Sequence, residues 1–219
     1  MKTCAVIFDN DGVLVDSEQF SLLAYREAIR EQGVELQGED DARFCGLTDA
    51  DIIREMRYIY NTDLDLDLFS ERKRELYAKY ATKGKMHAFP GVTELLASLN
   101  AEGVPYAIAS SGSPEKIAFN LNKAGLEKQF DLIISGDDFQ RGKPDPEIFL
   151  CAANRLGIPP EKCVVIEDSI NGLKAARAAK TFAIGITNTF ASYALAPHAD
   201  LLIRSMAELD ASRISSLVP

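Results

Sequence analysis

"VIFDNDGVLVDSE", residues 6–18, gives the first indication of the fold. It opens with a short apolar run and continues into Asp9 and Asp11, which Gly12 follows directly. An unbroken apolar run is typical of a strand that is buried on both faces of a parallel sheet. Two carboxylates at the end of such a strand repel each other and lose solvation, a cost that persists only where a cation or a reaction uses them. The stretch therefore predicts a functional site at the end of a buried strand.

Further apolar runs predict the rest of the sheet. Strands are expected at residues 4–8, 105–110, 131–135, 163–167 and 181–186. Helical patterns lie between most of these runs, and one of them starts at Ser113–Pro114 and ends at Gly125. Alternating strands and helices predict an α/β fold, with a Rossmann-like core of parallel strands flanked by helices.

Residues 17 to about 82 interrupt this alternation with three helical patterns and no convincing strand. The first pattern starts at Ser17, the second at Thr48 and the third near Asp67. The alternating "DLDLDL" at 63–68 is short and runs straight into the third pattern, so we interpret it as a loop. A helical block after the first strand predicts an inserted all-helical cap domain. The expected domains are the cap, residues 16–85, and an α/β catalytic core made of residues 1–15 and 86–219.

The composition limits the classes of function. A formal net charge of −9 argues against a nucleic-acid partner, which requires a basic surface. No apolar run is long enough to span a membrane, and the N-terminal stretch reaches an aspartate too early for a signal peptide. The cysteines stand singly in apolar surroundings, which favours reduced core thiols: Cys4, Cys45, Cys151 and Cys163. We therefore expect a cytoplasmic protein that binds no membrane and is a monomer.

Polar residues follow three of the predicted strands, at the end where parallel sheets bind ligands. They are Asp9 and Asp11, Ser110 and Ser111, and Glu167 and Asp168, with Lys143 in the loop "RGKPDP" able to reach in from the side. Carboxylate oxygens suit a hard cation such as Mg²⁺. The lysine, the serine hydroxyls and the amides of a tight turn suit the oxygens of a phosphate. Together these groups suit phosphoryl transfer.

Each of these signals also has an ordinary structural explanation. A pair of aspartates in a loop is commonly a cap or a turn, a serine at a strand end is common, and "EDS" at 167–169 is compatible with a helix N-cap. Lys143 alone would be interpreted as a surface charge. The placement of all of them on strand ends, in one order, favours the functional interpretation.

Four stretches, "FDNDGVLVDSE", "IASSGS", "GKPDP" and "IEDSINGLKAA", resemble the four successive motifs of the haloacid dehalogenase superfamily. The helical insert after the first motif resembles the branch with a small helical cap. That branch contains β-phosphoglucomutase and the small sugar-phosphate phosphatases. The resemblance spans nearly the whole chain.

This resemblance implies roles for individual residues. Asp9 would be the nucleophile, Asp11 the general acid and then the base, Ser110 a hydrogen-bond donor to the phosphoryl group, and Lys143 a neutralising cation. The metal would be Mg²⁺, held by Asp9, the backbone carbonyl of Asp11 and Asp168, with Glu167 binding directly or through water. Further contacts to a phosphorylated small-molecule substrate would come from Asn10, Gly46, Leu47, Thr48 and Ser111.

Two departures from the mutase pattern favour hydrolysis. The mutase has an arginine in the cap loop where this chain has Asp49, and a histidine in the first cap helix where this chain has Ser21. We therefore predict a Mg²⁺-dependent phosphatase for a small phosphomonoester such as a sugar phosphate. The alternatives are a sugar phosphomutase, a phospho-accepting signalling domain of the receiver kind, which would lack the helical insert, and a binding protein that has lost turnover.

Overall fold

The computed structural model describes residues 4–38, 44 and 47–219. Its centre is a sheet of six parallel strands in the order β3-β2-β1-β4-β5-β6. The strands are β1 (Ala5–Phe8), β2 (Tyr106–Ser110), β3 (Ile133–Ser135), β4 (Cys163–Glu167), β5 (Phe182–Ile186) and β6 (Leu201–Ile203). The chain runs outward from β1 to β3 on one side and then from β4 to β6 on the other. The strand order therefore reverses beside β1, which is where open α/β sheets form their ligand crevice.

Helices follow or precede the strands, as the α/β interpretation requires. In chain order they are α1 (Glu18–Glu31), α2 (Asp49–Tyr60), α3 (Leu66–Lys83), α4 (Val92–Glu102), α5 (Pro114–Lys123), α6 (Glu147–Leu156), α7 (Ile170–Ala178), α8 (Ser192–Leu195) and α9 (Ala211–Ser216). Short 3₁₀ turns occupy Gly136–Asp138, Pro160–Lys162 and Met206–Glu208. The predicted fold class is confirmed, and the five expected strands all form.

The sixth strand was not predicted. It is three residues long, lies at the edge of the sheet and pairs only with β5. Its apolar run is bounded closely by Asp200 and Arg204, so the sequence pattern is too short to indicate a strand without the neighbour that pairs with it.

The two faces of β1 pack into two separate hydrophobic clusters. Phe8 belongs to one cluster, and Ile7 belongs to the other together with Phe149 of α6. Side chains alternate along a strand, so Asp9 faces the same side of the sheet as Ile7. The amide of Asp9 donates to the carbonyl of Ile166 at 3.0 Å and extends the pairing of β1 with β4 by one residue. The register therefore places the Asp9 and Glu167 side chains next to each other.

The segment between β1 and α4 forms the three predicted helices α1 to α3. Thr48 caps α2 and Asp65 caps α3, each through a side-chain oxygen that accepts a backbone N–H of the first turn. Asp65 lies inside "DLDLDL", which was expected to be a loop throughout. The structure corrects this expectation, because α3 begins at Leu66 and only the first part of the stretch is a loop.

The helical segment leaves and rejoins the sheet region at one place. Val15 pairs with Ala88 in an antiparallel bridge. The amide of Asp16 donates to the carbonyl of His87 at 3.0 Å, and the amide of Phe89 donates to the carbonyl of Leu14 at 3.0 Å. The outgoing and returning segments of the chain thus pair as a short antiparallel ribbon of two strands. A division into core and cap domains at this ribbon stays a prediction.

Two other expectations concern the cysteines and the membrane. Cys4, Cys151 and Cys163 are free thiols, and burial raises the pKa of the Cys163 thiol to about 12. Cys45 and Gly46 lie outside the described residues. Within the described ranges, no helix has the length and apolar character that crossing a lipid bilayer demands.

Candidate active site

The ammonium of Lys143 forms hydrogen bonds to residues at the ends of β1, β2 and β4. Its Nζ donates to Asp9 Oδ1 at 2.6 Å, to Glu167 Oε1 at 2.7 Å and to the carbonyl of Ala109 at 3.1 Å. The same ammonium lies 4.9 Å from the centroid of the Phe149 ring. Lys143 is only 2% exposed, so its charge acts in a medium that screens poorly. The sequence pattern is therefore correct that this lysine reaches the strand ends, and it is not a surface charge.

Glu167 is fixed by hydrogen bonds on both carboxylate oxygens. Oε1 accepts from Lys143, and Oε2 accepts from the amide of Ser169 at 2.8 Å and from its hydroxyl at 2.9 Å. Ser169 also caps α7, because its hydroxyl accepts the amide of Gly172. The "EDS" sequence is thus an N-cap and part of the polar cluster at the same time.

Asp11 lies in the loop after β1 and is held from several sides. Its Oδ1 accepts from the Ser17 hydroxyl and, at 2.8 Å, from the side-chain amide of Asn120. Its Oδ2 lies 3.1 Å from Lys116 Nζ. Burial by itself would raise the pKa of Asp11, but Lys116 and the Ser17 hydroxyl outweigh burial and lower it. In this arrangement Asp11 is a carboxylate.

Asp168 is a buried carboxylate that lies beside other acidic residues. Burial raises its pKa well above the usual value, and the negative charges of Glu167, Asp9 and Glu18 add to the effect. The Thr189 hydroxyl donates to its Oδ2. Gly12, with φ of 75°, lets the turn after Asp11 lie directly against this carboxylate, because a Cβ at Gly12 would sit 1.9 Å from Asp168 Oδ2. The turn therefore brings the backbone beside Asp11 to Asp168.

Two serines and the helical segment complete a cleft of about 720 Å³ above the strand ends. Ser110 is buried, and its hydroxyl accepts the amide of Gly112 at 3.2 Å. Ser111, Leu47 and Thr48 are among the residues that line the cleft, and so are the acidic residues and Lys143. A cleft of this size accommodates a phosphorylated sugar.

The helical segment touches the Lys143 loop directly. A Cβ at Gly142 would lie 2.5 Å from Thr48 Cγ2, so only glycine permits this approach of the α2 N-terminus to the residue before Lys143. The loop that supplies the buried cation is thus packed against the segment that closes the cleft.

The structure places the Asn10 side chain away from the cleft: it is fully buried and is not among the lining residues. A substrate contact of Asn10, expected through its backbone amide, stays a prediction. Gly46, also expected to contact the substrate, lies outside the described residues.

The acidic residues fit a hard cation such as Mg²⁺. Asp9 and Asp168 are buried carboxylates whose pKa values burial raises, so a divalent cation would relieve a repulsion already present. Among the described residues, no three His, Cys, Asp or Glu side chains form a metal site by themselves. Mg²⁺ does not require three, because it commonly keeps several waters and is bound by one or two carboxylates together with substrate phosphate.

If Asp9 holds Mg²⁺, its raised pKa makes the binding of the metal depend on pH. Burial raises the pKa of Asp9 to about 8, since Lys143 offsets only part of the burial effect and the Glu167 charge adds to it. Below that pH the metal must displace a proton. We expect the apparent Mg²⁺ affinity to fall about tenfold for each pH unit below about 8 and to level off above it. Calorimetric titration in buffers of different ionisation enthalpy measures both the affinity and the protons released.

The metal-free protein should show the opposite trend in stability. A carboxyl whose pKa is raised on folding stabilises the fold fully below its unfolded pKa, 3.8, and that contribution is lost as the pH rises through about 8.

An affinity for Mg²⁺ that is equal at about pH 6 and about pH 8 would contradict the assignment of Asp9 to the metal site.

Comparison with known proteins places the chain in a family. A family model described as haloacid dehalogenase-like hydrolase matches residues 6–186. The chain belongs to the haloacid dehalogenase-like hydrolase family. As a haloacid dehalogenase-like hydrolase, it has further relatives that are named phosphatases, together with one named β-phosphoglucomutase. The predictions of the superfamily and of an enzyme of its phosphatase branch are confirmed.

Three similar proteins illustrate the range of this hydrolase family. "Phosphorylated carbohydrates phosphatase" of Thermotoga maritima is 34% identical and covers 80% of this chain and 81% of its own. "Protein SUPPRESSOR OF QUENCHING 1, chloroplastic" of Arabidopsis thaliana is 38% identical over 93% of this chain, and this chain spans 20% of its length. The crystal structure of a hydrolase from Pseudomonas syringae has a TM-score of 0.90 at 27% identity, covering 99% of this chain and 100% of that one.

Three residues beside Asp11 were not identified from the sequence: Lys116, Asn120 and Tyr77. Lys116 lies in the first turn of α5 and Asn120 lies one turn later. Tyr77 belongs to α3, and its hydroxyl donates to Asn120 Oδ1. The one available signal was Lys116 at a helix N-terminus, where an acidic residue would be more favourable.

Proposed function

We propose that this hydrolase is a Mg²⁺-dependent phosphatase that removes the phosphate of a small phosphomonoester, such as a sugar phosphate, through a phosphorylated Asp9. The observation that carries the proposal is the contact of Lys143 with Asp9 and Glu167 at the floor of the cleft. A buried lysine shared by two carboxylates fits a nucleophile that must carry negative charge and then bind a negatively charged group.

The first half of the reaction forms a bond to Asp9. A carboxylate oxygen of Asp9 attacks phosphorus, the bond from phosphorus to the leaving-group oxygen breaks, and Asp11 gives that oxygen a proton. Lys143 and the Ser110 hydroxyl stabilise the oxygens of the transferred group, as expected for a reaction in which charge stabilisation is the main requirement. Mg²⁺, held by Asp9, Asp168 and the backbone carbonyl of Asp11, would supply further positive charge at those oxygens.

The second half returns Asp9 to its starting state. A water molecule attacks phosphorus, the bond to Asp9 breaks, and Asp11 takes the proton from the water. Asp11 therefore ends each cycle protonated and ready to act as the acid again. Between the two proton transfers Asp11 would be a carboxylate, the form that Lys116 and the Ser17 hydroxyl favour. Glu167, with both oxygens engaged by Lys143 and Ser169, supports the lysine and would help to hold the metal, directly or through water.

The contacts of Asp49 favour hydrolysis over a mutase. A mutase must hold a second phosphate on the far side of the sugar, which requires a cation there. At this place Asp49 forms an ion pair with Lys73, and both residues line the cleft. Lys73 pulls the pKa of Asp49 below its usual value against the opposing effect of burial, so Asp49 is ionised. Because Asp49 neutralises Lys73, this ion pair suits the neutral hydroxyls of a sugar monophosphate better than a second phosphate.

A panel of phosphorylated compounds tests the proposal. We expect metal-dependent release of phosphate from at least one hexose, pentose, polyol or glycerol phosphate, with no release when Mg²⁺ is removed by a chelator. Sugar bisphosphates should be poorer substrates than the matching monophosphates. Conversion of β-glucose 1-phosphate to glucose 6-phosphate without release of phosphate would instead establish the mutase. Release that is unaffected by removal of the metal would contradict the proposed mechanism.

A further inference from the structure

Lys116 is a cation at a position where a helix favours anions. It is the third residue of α5, and its amide donates to the capping hydroxyl of Ser113 at 3.3 Å. The unpaired amides of a first turn carry partial positive charge, which repels a lysine. The Asp11 carboxylate, 3.1 Å from Lys116 Nζ, offsets that repulsion. The location of the ammonium is therefore tied to the location of Asp11.

The helical segment holds the same ammonium from the other side. Lys116 Nζ donates to the Ser21 hydroxyl of α1 at 3.1 Å and lies 4.9 Å from the centroid of the Tyr77 ring of α3. Only 23% of the Lys116 side chain is exposed, so water competes weakly for these contacts. The lysine is thus fixed jointly by α1, α3 and α5.

Tyr77 also determines the orientation of the group on the other oxygen of Asp11. Its hydroxyl donates to Asn120 Oδ1, which leaves the Asn120 amide nitrogen to face Asp11 Oδ1 at 2.8 Å. Asn120 follows Lys116 by four residues, so both side chains project from one face of α5. One carboxylate oxygen of Asp11 is consequently fixed by Lys116 and the other by Asn120 and Ser17.

We propose that Lys116 is a positioning residue that, with Asn120 and Tyr77, orients Asp11 toward the leaving-group oxygen while the helical segment is packed on α5. The inference rests on the proposed function, because it concerns the residue that transfers the proton in that reaction. Lys116 acts through Asp11. Its loss should therefore affect the proton-transfer steps and spare the attack of Asp9 on phosphorus.

The dependence of the rate on the leaving group tests the inference. The value of kcat/KM reports the reaction up to the breaking of the bond to the leaving group. In Lys116→Met we expect it to fall about 100-fold for the sugar phosphate that the wild-type enzyme hydrolyses fastest, because that alkoxide needs a proton. For p-nitrophenyl phosphate, whose leaving group needs no proton, kcat/KM should stay within about threefold of wild type. For p-nitrophenyl phosphate, kcat of Lys116→Met should nevertheless fall, because the attack of water on phosphorylated Asp9 still needs Asp11 as the base. A burst of nitrophenolate should then precede the slow turnover.

Two further variants separate orientation from charge and from folding. Tyr77→Phe keeps every charge, removes the hydroxyl that orients Asn120, and should show the same selective loss at about a tenth of the size. Lys116→Arg should restore part of the activity toward the sugar phosphate. Lys123→Met, at the other end of α5 and over the Phe119 ring, is the matched control and should leave both substrates unchanged. If Lys116→Met does not fold, Tyr77→Phe decides the question by itself.

Equal losses for the two substrates, or no loss in either variant, would overturn the inference. That result differs from failure of the proposed function. The proposed function fails if the wild-type protein releases no phosphate, or if the protein remains active without Asp9. The inference alone fails if both of those tests succeed and the leaving group makes no difference.

Discussion

Replacement of Asp9 by asparagine is expected to reduce phosphate release by at least about 10⁴-fold, the loss typical when an essential nucleophile is removed. Asparagine has nearly the same shape but cannot attack phosphorus as a carboxylate does. The fold should tolerate the change. Burial raises the pKa of Asp9 to about 8, and the Glu167 charge contributes, so a neutral side chain relieves repulsion among the buried acids.

The two effects of Asp9→Asn therefore have opposite signs. Activity falls, whereas the free energy of unfolding of the metal-free protein, measured by urea titration at about pH 8, stays equal or rises. Asp131→Asn, an exposed aspartate in the loop before β3, is the control and should change neither quantity. Phosphate release above about 1% of wild type in Asp9→Asn would mean that another group is the nucleophile.

Replacement of Lys143 by methionine should damage both stability and activity. Methionine keeps most of the length of the lysine side chain but leaves Asp9 and Glu167, which lie 2.6 Å and 2.7 Å from the ammonium in the wild type, without a cation. Removal of one partner of a buried ion pair destabilises proteins by about 3–5 kcal/mol. A further loss of about 10²–10³ in kcat is expected, because a charge aimed at the transferred group is missing.

Measurement at two pH values distinguishes this effect from a simple packing defect. The loss of unfolding free energy should grow as the pH rises through about 8, because Lys143 stabilises only the ionised form of Asp9, and should be smaller at about pH 6. Lys174→Met, at an exposed position on α7, serves as the control and should be neutral at both pH values. A loss of stability that does not vary with pH would show that Lys143 contributes by packing on Phe149 alone.

Much of the site could be predicted because it is built on strand ends. Each apolar run of the central strands is followed by or ends in a polar residue: Asp9, Ser110 or Glu167. Parallel pairing brings these strand ends together irrespective of the length and packing of the connecting helices. Lys143 could be predicted only together with these residues. Its own loop carries no signal for burial, and its partners lie 134 and 24 residues away in the chain.

The residues around Asp11 could not be predicted for a related reason. "PEKIAFNLNK" is an ordinary amphipathic helix in which Lys116 could equally face solvent. What buries it is the packing of α1 and α3 against α5, through Ser21 and Tyr77. Such contacts between distant segments depend on the relative orientation of three helices, and neither composition nor periodicity encodes that orientation.

The ribbon formed by Val15 and Ala88 has a consequence for how the protein could diversify. Because the outgoing and returning segments are joined to each other by neighbouring backbone hydrogen bonds, the whole helical segment is equivalent to a single long loop for the sheet. The entropy of closing a loop grows only slowly with its length, so insertions or replacements there disturb the strand register little. The helical wall of the cleft can therefore be exchanged in evolution or by grafting while the strand ends that carry Asp9, Ser110 and Glu167 stay in place.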